Sequence, residues 1–80
     1  RDSKTELQEW AHANRLGMPK YRERERSGPD HDPLFTVTVE VTGKGEASGM
    51  GRSKRIAEQA AARAMLVEHG VWQAEEETGT

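Results

Sequence analysis

The sequence predicts an α+β domain of order α-β-β-β-α, a three-stranded antiparallel sheet packed on one face by two helices. Three observations carry that expectation. Leu34 to Val41 alternates strictly, with Phe35, Val37, Val39 and Val41 on one side and Thr36, Thr38 and Glu40 on the other, the period of a sheet covered on one face. Segments of helical spacing flank the strand region, one near the amino end and one rich in alanine near the carboxyl end. Finally, the chain has 80 residues. A chain this short buries only about 60–65% of the surface its unfolded form exposes, so it supports one modest core and both helices must share one sheet face.

Asp2 or Ser3 is expected to cap a first helix running to about Arg15, with Glu6 three residues after Ser3 as in a capping box. Leu7, Trp10 and Ala11 then face the core, while Thr5, Gln8, Glu9 and His12 share another face. Gly17 and Pro19 break the helix. Lys20 to Arg26 reads as a solvated strand, with Tyr21, Glu23 and Glu25 on one side and Lys20, Arg22, Arg24 and Arg26 on the other. Ser27 to Pro33 holds two prolines and a glycine and reads as a loop. Thr42-Gly43-Lys44-Gly45 reads as a hairpin turn after the clear strand, and a shorter strand is expected around Glu46 to Met50. A glycine-rich turn, Gly49-Met50-Gly51, then leads to a helix capped by Ser53 and stopped by Gly70. Its expected inward residues are Ala57, Ala61 and Met65. These elements make one domain over residues 1–72, followed by a polar tail at 73–80.

The composition narrows the chemistry. With no cysteine, neither a disulfide framework nor a thiolate metal site is available. No apolar run approaches the roughly 20 residues of a membrane span. The first residue is Arg, which reads as a piece of a longer protein, with a carboxyl-terminal place in the parent. Twelve basic residues stand against fourteen acidic ones, a balance that argues against nucleic acid until its distribution is considered. Three of the acids are Glu75, Glu76 and Glu77 in the tail; without them the ordered part is near neutral, with one concentrated basic site.

That site is Arg52-Ser53-Lys54-Arg55, three cations and no acid at the start of the second helix. A helix N-terminus favours acids, and an exposed cation there costs roughly 0.3–1 kcal/mol. The bland reading is a solvated helix end; the functional one is an external polyanion, met by free N–H groups and basic side chains together. Neither the phosphate-binding G-x-x-x-x-G-K-[ST] pattern nor a dinucleotide fingerprint is present. Asp30-His31-Asp32 offers one imidazole and two carboxylates in consecutive residues, a spacing that does not converge on a metal ion. No carboxylate pair or nucleophile–base arrangement for catalysis can be argued from spacing.

Three ordered segments, Lys4 to Trp10, Gly28 to Phe35 and Gly51 to Ala61, resemble the double-stranded RNA-binding domain, and most of all the version at the C-terminus of bacterial ribonuclease III. The similarity spans about Ser3 to Gly70. It implies RNA contact at three places: Thr5, Gln8 and Glu9 against ribose hydroxyls of one minor groove, His31 in the next minor groove, and Lys54 and Arg55 on the intervening phosphates with Arg52 and Ser53 as neighbours. A-form RNA hides its major-groove base edges, so such a reader works by shape over about 16 base pairs. Two departures stand out. Glu58 and Gln59 occupy the turn where many such domains carry a third cation, and Trp10 replaces a commoner tyrosine.

The resemblance implies a monomeric, non-catalytic domain that needs no cofactor and presents duplex RNA to a nuclease domain elsewhere in a ribonuclease III-like parent. That parent is expected to be a cytoplasmic, homodimeric endoribonuclease of ribosomal RNA processing, using Mg2+ in its nuclease domain. The alternative is a protein-interaction or dimerisation module of the same fold with little RNA affinity; Glu58 and the negative net charge speak for it.

Overall fold

The computed structural model describes residues 2–74. Its elements are α1 (Ser3–Ala13), β1 (Lys20–Ser27), β2 (Leu34–Val41), β3 (Gly45–Gly51) and α2 (Lys54–Glu68). The strands form one antiparallel sheet of order β1-β2-β3, with Val37 opposite Glu23 on one side and Gly49 on the other. Val37, Val39 and Val41 meet Leu7 and Ala11 of α1 and Ala57, Ala61, Ala62, Met65 and Leu66 of α2 in a single core. Burying a side chain such as Leu7 or Leu66 contributes roughly 1.5–3 kcal/mol. The expected architecture is therefore present, both helices lying over the valine face.

Several local expectations change. Ser3 is no cap: it is buried, and its hydroxyl lies 2.6 Å from both the backbone carbonyl and Oε1 of Gln59 on α2. Asp2 occupies the N-cap position without a side-chain cap hydrogen bond, and the expected capping box does not form. Helix α1 ends at Ala13, two residues before Arg15. The stop comes from Arg15 at φ 60°, whose N–H donates to the His12 carbonyl while the Leu16 N–H donates to Ala11 at 2.8 Å. That pair of bonds closes a Schellman motif, and nothing in a lone arginine announces it. The same motif ends α2, where Gly70 donates to Val67 and Val71 to Leu66, with His69 as the C-cap beyond Glu68.

In β1 the regular alternation fails at a bulge between Glu23 and Glu25. The extra residue shifts every later side chain to the opposite face. Arg26 thereby lies opposite Phe35 on the helix-facing side, its guanidinium 5.4 Å from the ring centre, and Glu25 moves to the outer face opposite Thr36. The outer face is not wholly given to water either: Thr38 is buried, 3.1 Å from the Ser48 hydroxyl of β3.

Gly49-Met50-Gly51 belongs to strand β3 rather than to a turn. Its glycines serve close approach. A Cβ on Gly49 would press into the backbone of α2 at Ala61 N and lie 2.7 Å from the Ala57 carbonyl oxygen; one on Gly51 would lie 2.7 Å from Ala57 N. Overpacking of a well-filled contact costs typically 1–3 kcal/mol. Gly49→Ala is therefore expected to lower stability by about 2 kcal/mol or more, read as a fall in the urea midpoint at constant slope; an unchanged midpoint would contradict the packing described.

Candidate nucleic-acid interface

The first-turn cations of α2 are placed by the strand–helix junction. Ser53 adopts an extended conformation, and its hydroxyl oxygen accepts the Ile56 N–H at 3.1 Å, so it caps the helix as expected. The first turn of α2 contains no acid. Acids arrive from elsewhere: Glu23 of β1 lies 3.4 Å from Lys54 Nζ, and Asp32 of the β1–β2 loop lies 3.8 Å from Arg52 Nε. Both pairs are open to solvent, where such bridges are worth about 0–1 kcal/mol. Among the described residues Arg55 makes no ion pair.

Helix α1 presents Thr5, Gln8 and Glu9, all exposed. Thr5 and Gln8 line a groove together with Asp2 and Lys4, Arg55 and Gln59 of α2, and Met18, Pro19 and Tyr21. Glu9 lines an adjoining recess with His12 and Met18, the latter 63% exposed. His31 is exposed at the tip of the β1–β2 loop. That loop is shaped by Gly28 at φ 85°, where a Cβ would lie 2.7 Å from the Asp32 carbonyl, and by the Asp32 N–H donating to Pro29 at 2.9 Å. The Asp32–Arg52 pair spans from the His31 loop to the start of α2. The structure thus brings Thr5, Gln8 and Arg55 around one groove and Asp32 of the His31 loop near Arg52, while Glu9 lines the neighbouring recess.

Residues that spacing alone did not single out hold α1 against α2. Gln59 Oε1 takes the Ser3 hydroxyl and the Lys4 N–H, at 2.6 and 3.3 Å, and Gln59 Nε2 donates to Asp2. Lys4 Nζ reaches Glu58 at 2.6 Å and sits 5.0 Å from the Tyr21 ring centre. Glu58 and Gln59, which stand where a third cation was looked for, therefore join the two helices. The signal available in the sequence was weak: a polar pair on an alanine-rich helix. Among the described residues no cluster of three His, Asp or Glu side chains could hold a metal ion.

Comparisons with known proteins bear on the fold and the family. A family model described as the double-stranded RNA binding motif matches residues 3–68. The chain belongs to the double-stranded RNA binding motif family. Among curated relatives, Ribonuclease 3 of Sinorhizobium medicae (strain WSM419) is 64% identical over 73 residues, covering 91% of this chain and 31% of the relative. Ribonuclease 3 of Mesorhizobium japonicum is 61% identical over 74 residues, covering 92% of the chain and 34% of the relative. This double-stranded RNA binding motif thus spans about a third of the length of such relatives. In structure it resembles Arabidopsis HYL1, studied for its implications for miRNA processing, with a TM-score of 0.76 at 33% identity over 88% of this chain and 99% of that one. The second dsRBD of DRB4 superposes with a TM-score of 0.62 at 38% identity, covering 84% and 93% of the two chains.

Tyr21 supplies a measurable marker for the α1–α2–β1 junction. Its hydroxyl is buried and has no hydrogen-bond partner among the described residues. Burial first, and then the negative charges of Glu58 and Asp2, push its pKa from 10.0 up to about 12. The folded domain keeps the phenol proton where the unfolded chain loses it, so this contribution to stability is full below pH 10 and is lost as pH rises through 12. Thermal midpoints should fall over that window more steeply for the wild type than for Tyr21→Phe, which has no phenol to ionise; parallel curves would contradict the assignment.

Proposed function

We propose that this domain binds double-stranded RNA by shape, setting Thr5, Gln8 and Glu9 into one minor groove, His31 into the next, and Lys54 and Arg55 on the phosphates between, with Arg52 and Ser53 beside them. The observation that carries the reading is the groove that Thr5 and Gln8 of α1 line together with the cations Lys4 and Arg55. Such a pairing suits a surface on which ribose hydroxyls and phosphates lie side by side, as they do along the edge of an A-form minor groove. Among the described residues Lys54 and Arg52 pair only with the solvent-exposed carboxylates of Glu23 and Asp32, which phosphates can replace at little cost.

The parent protein is, in this reading, a ribonuclease III-like endoribonuclease that acts as a homodimer in cytoplasmic processing of ribosomal RNA. The domain itself, monomeric and without a cofactor, presents the duplex; the cutting, with Mg2+, belongs to a nuclease domain outside this chain. Support comes from the identity to Ribonuclease 3 of several rhizobia and from the share of those proteins that the chain covers.

Binding titrations at several salt concentrations test the contact assignment. Lys54→Ala is expected to reduce the slope of log affinity against log salt by about one, the signature of one lost phosphate contact. Gln8→Ala and His31→Ala are expected to weaken binding while leaving that slope in place, because riboses carry no condensed counterions. Equal affinity for RNA and DNA duplexes would contradict the minor-groove reading, and no affinity for either would favour a protein-interaction module.

A further inference from the structure

At the head of α1 both carboxylate oxygens of Asp2 are engaged, Oδ2 by the Thr5 hydroxyl and Oδ1 by Gln59 Nε2. The sense of each bond is fixed by chemistry. An ionised carboxylate has only lone pairs, so Thr5 must give its one hydroxyl proton to Asp2. Gln59 cannot be turned over, because its Oε1 accepts from the Ser3 hydroxyl and the Lys4 backbone N–H. A reversed amide would set its NH2 group against a backbone donor. The bond from Thr5, then that from Gln59, lowers the Asp2 pKa below its ordinary value and keeps the carboxylate charged at neutral pH.

Thr5 is nevertheless exposed and lines the groove with Gln8 and Arg55. Its proton points inward, so a ligand entering the groove meets only lone pairs on Oγ1. A ribose 2′-hydroxyl can donate to them; a deoxyribose or a 2′-fluoro sugar cannot. We infer that Asp2, oriented by Gln59, is a positioning residue that makes Thr5 an obligate hydrogen-bond acceptor and thereby biases the domain toward sugars bearing a 2′-hydroxyl donor. The inference rests on the duplex-RNA reading above and adds to it the direction of one hydrogen bond and the residue that sets it.

Asp2→Asn is the informative variant because it keeps the shape and replaces one oxygen by NH2. Gln59 Nε2 still requires the remaining oxygen, so the new NH2 faces Thr5 and turns the hydroxyl proton outward. Wild type, Asp2→Asn, Thr5→Val and Thr5→Ser would each be titrated with a duplex RNA and with the same duplex carrying 2′-fluoro in place of the 2′-hydroxyls. The expected result is that the wild type prefers the hydroxyl duplex, and that Asp2→Asn and Thr5→Val each lower this preference by about three- to tenfold, the worth of one net hydrogen bond. Thr5→Ser should retain it, and the Asp2→Asn/Thr5→Val double variant should lose no more than either alone. Asparagine is as good a residue at a helix N-cap as aspartate, so the N-terminus of α1 should survive the replacement, checked by circular dichroism. An unchanged preference in Asp2→Asn or Thr5→Val, with RNA binding intact, would overturn the inference. Failure of the wild type to bind duplex RNA would overturn the functional reading instead.

Discussion

Backbone-to-backbone contact between α2 and β3 is the constraint on which the rest of the domain depends. Gly49 and Gly51 leave no side chain between strand and helix, and Ala57 and Ala61 meet them with the smallest side chain that still favours a helix. The helix is thereby pinned in depth and direction. Its first turn emerges at the edge of the sheet, so Arg52, Lys54 and Arg55 project from a rigid junction rather than from a loose loop. The helical stripe of Ala57, Ala61 and Met65 widens to include Ala62 and Leu66, which share a side with Gln59, the residue bonded to α1.

From that fixed helix the first one is hung by polar bonds as well as by Leu7 and Ala11. Ser3, Asp2 and Lys4 all reach Gln59 or Glu58, so the spacing between the Thr5–Gln8 side of α1 and the start of α2 is held by named groups. At the other end of α1, Trp10 stacks on His69 at 5.6 Å, and His69 Nε2 lies 3.0 Å from the Lys44 carbonyl oxygen, joining α1, α2 and the β2–β3 hairpin. The two helices are thus joined at both ends of α1, while Thr5, Gln8, Lys54 and Arg55 stay exposed.

Much of this was legible in the sequence, for physical reasons. The valine alternation of β2 reports one buried face directly, and Ser53 before an alanine-rich segment marks a helix start with little ambiguity. Other features were hidden because they depend on partners distant in the chain. A serine near an N-terminus reads as a cap, yet Ser3 is bonded to a residue 56 positions away. Strict charge alternation in β1 conceals a bulge, since Arg and Glu carry no apolar signal to show which face is inward. Gly49 and Gly51 suggested a turn because the helix lying on them is invisible locally. Two of the three cations that looked misplaced at a helix N-terminus, Arg52 and Lys54, have acids beside them in Asp32 and Glu23, supplied by a loop and a strand that spacing could not bring near.

The central claim is that α1, the His31 loop and the start of α2 act as one RNA-binding face. Chemical-shift mapping of the amide-labelled domain with a duplex RNA of about 20 base pairs, long enough for the roughly 16 such a face spans, tests it most directly. The account predicts joint perturbation at Thr5, Gln8, His31, Lys54 and Arg55 with one titration midpoint, while Glu40 and Ser48 on the outer sheet face stay in place. Perturbation confined to the outer face, or to α2 with α1 and the loop unmoved, would contradict it.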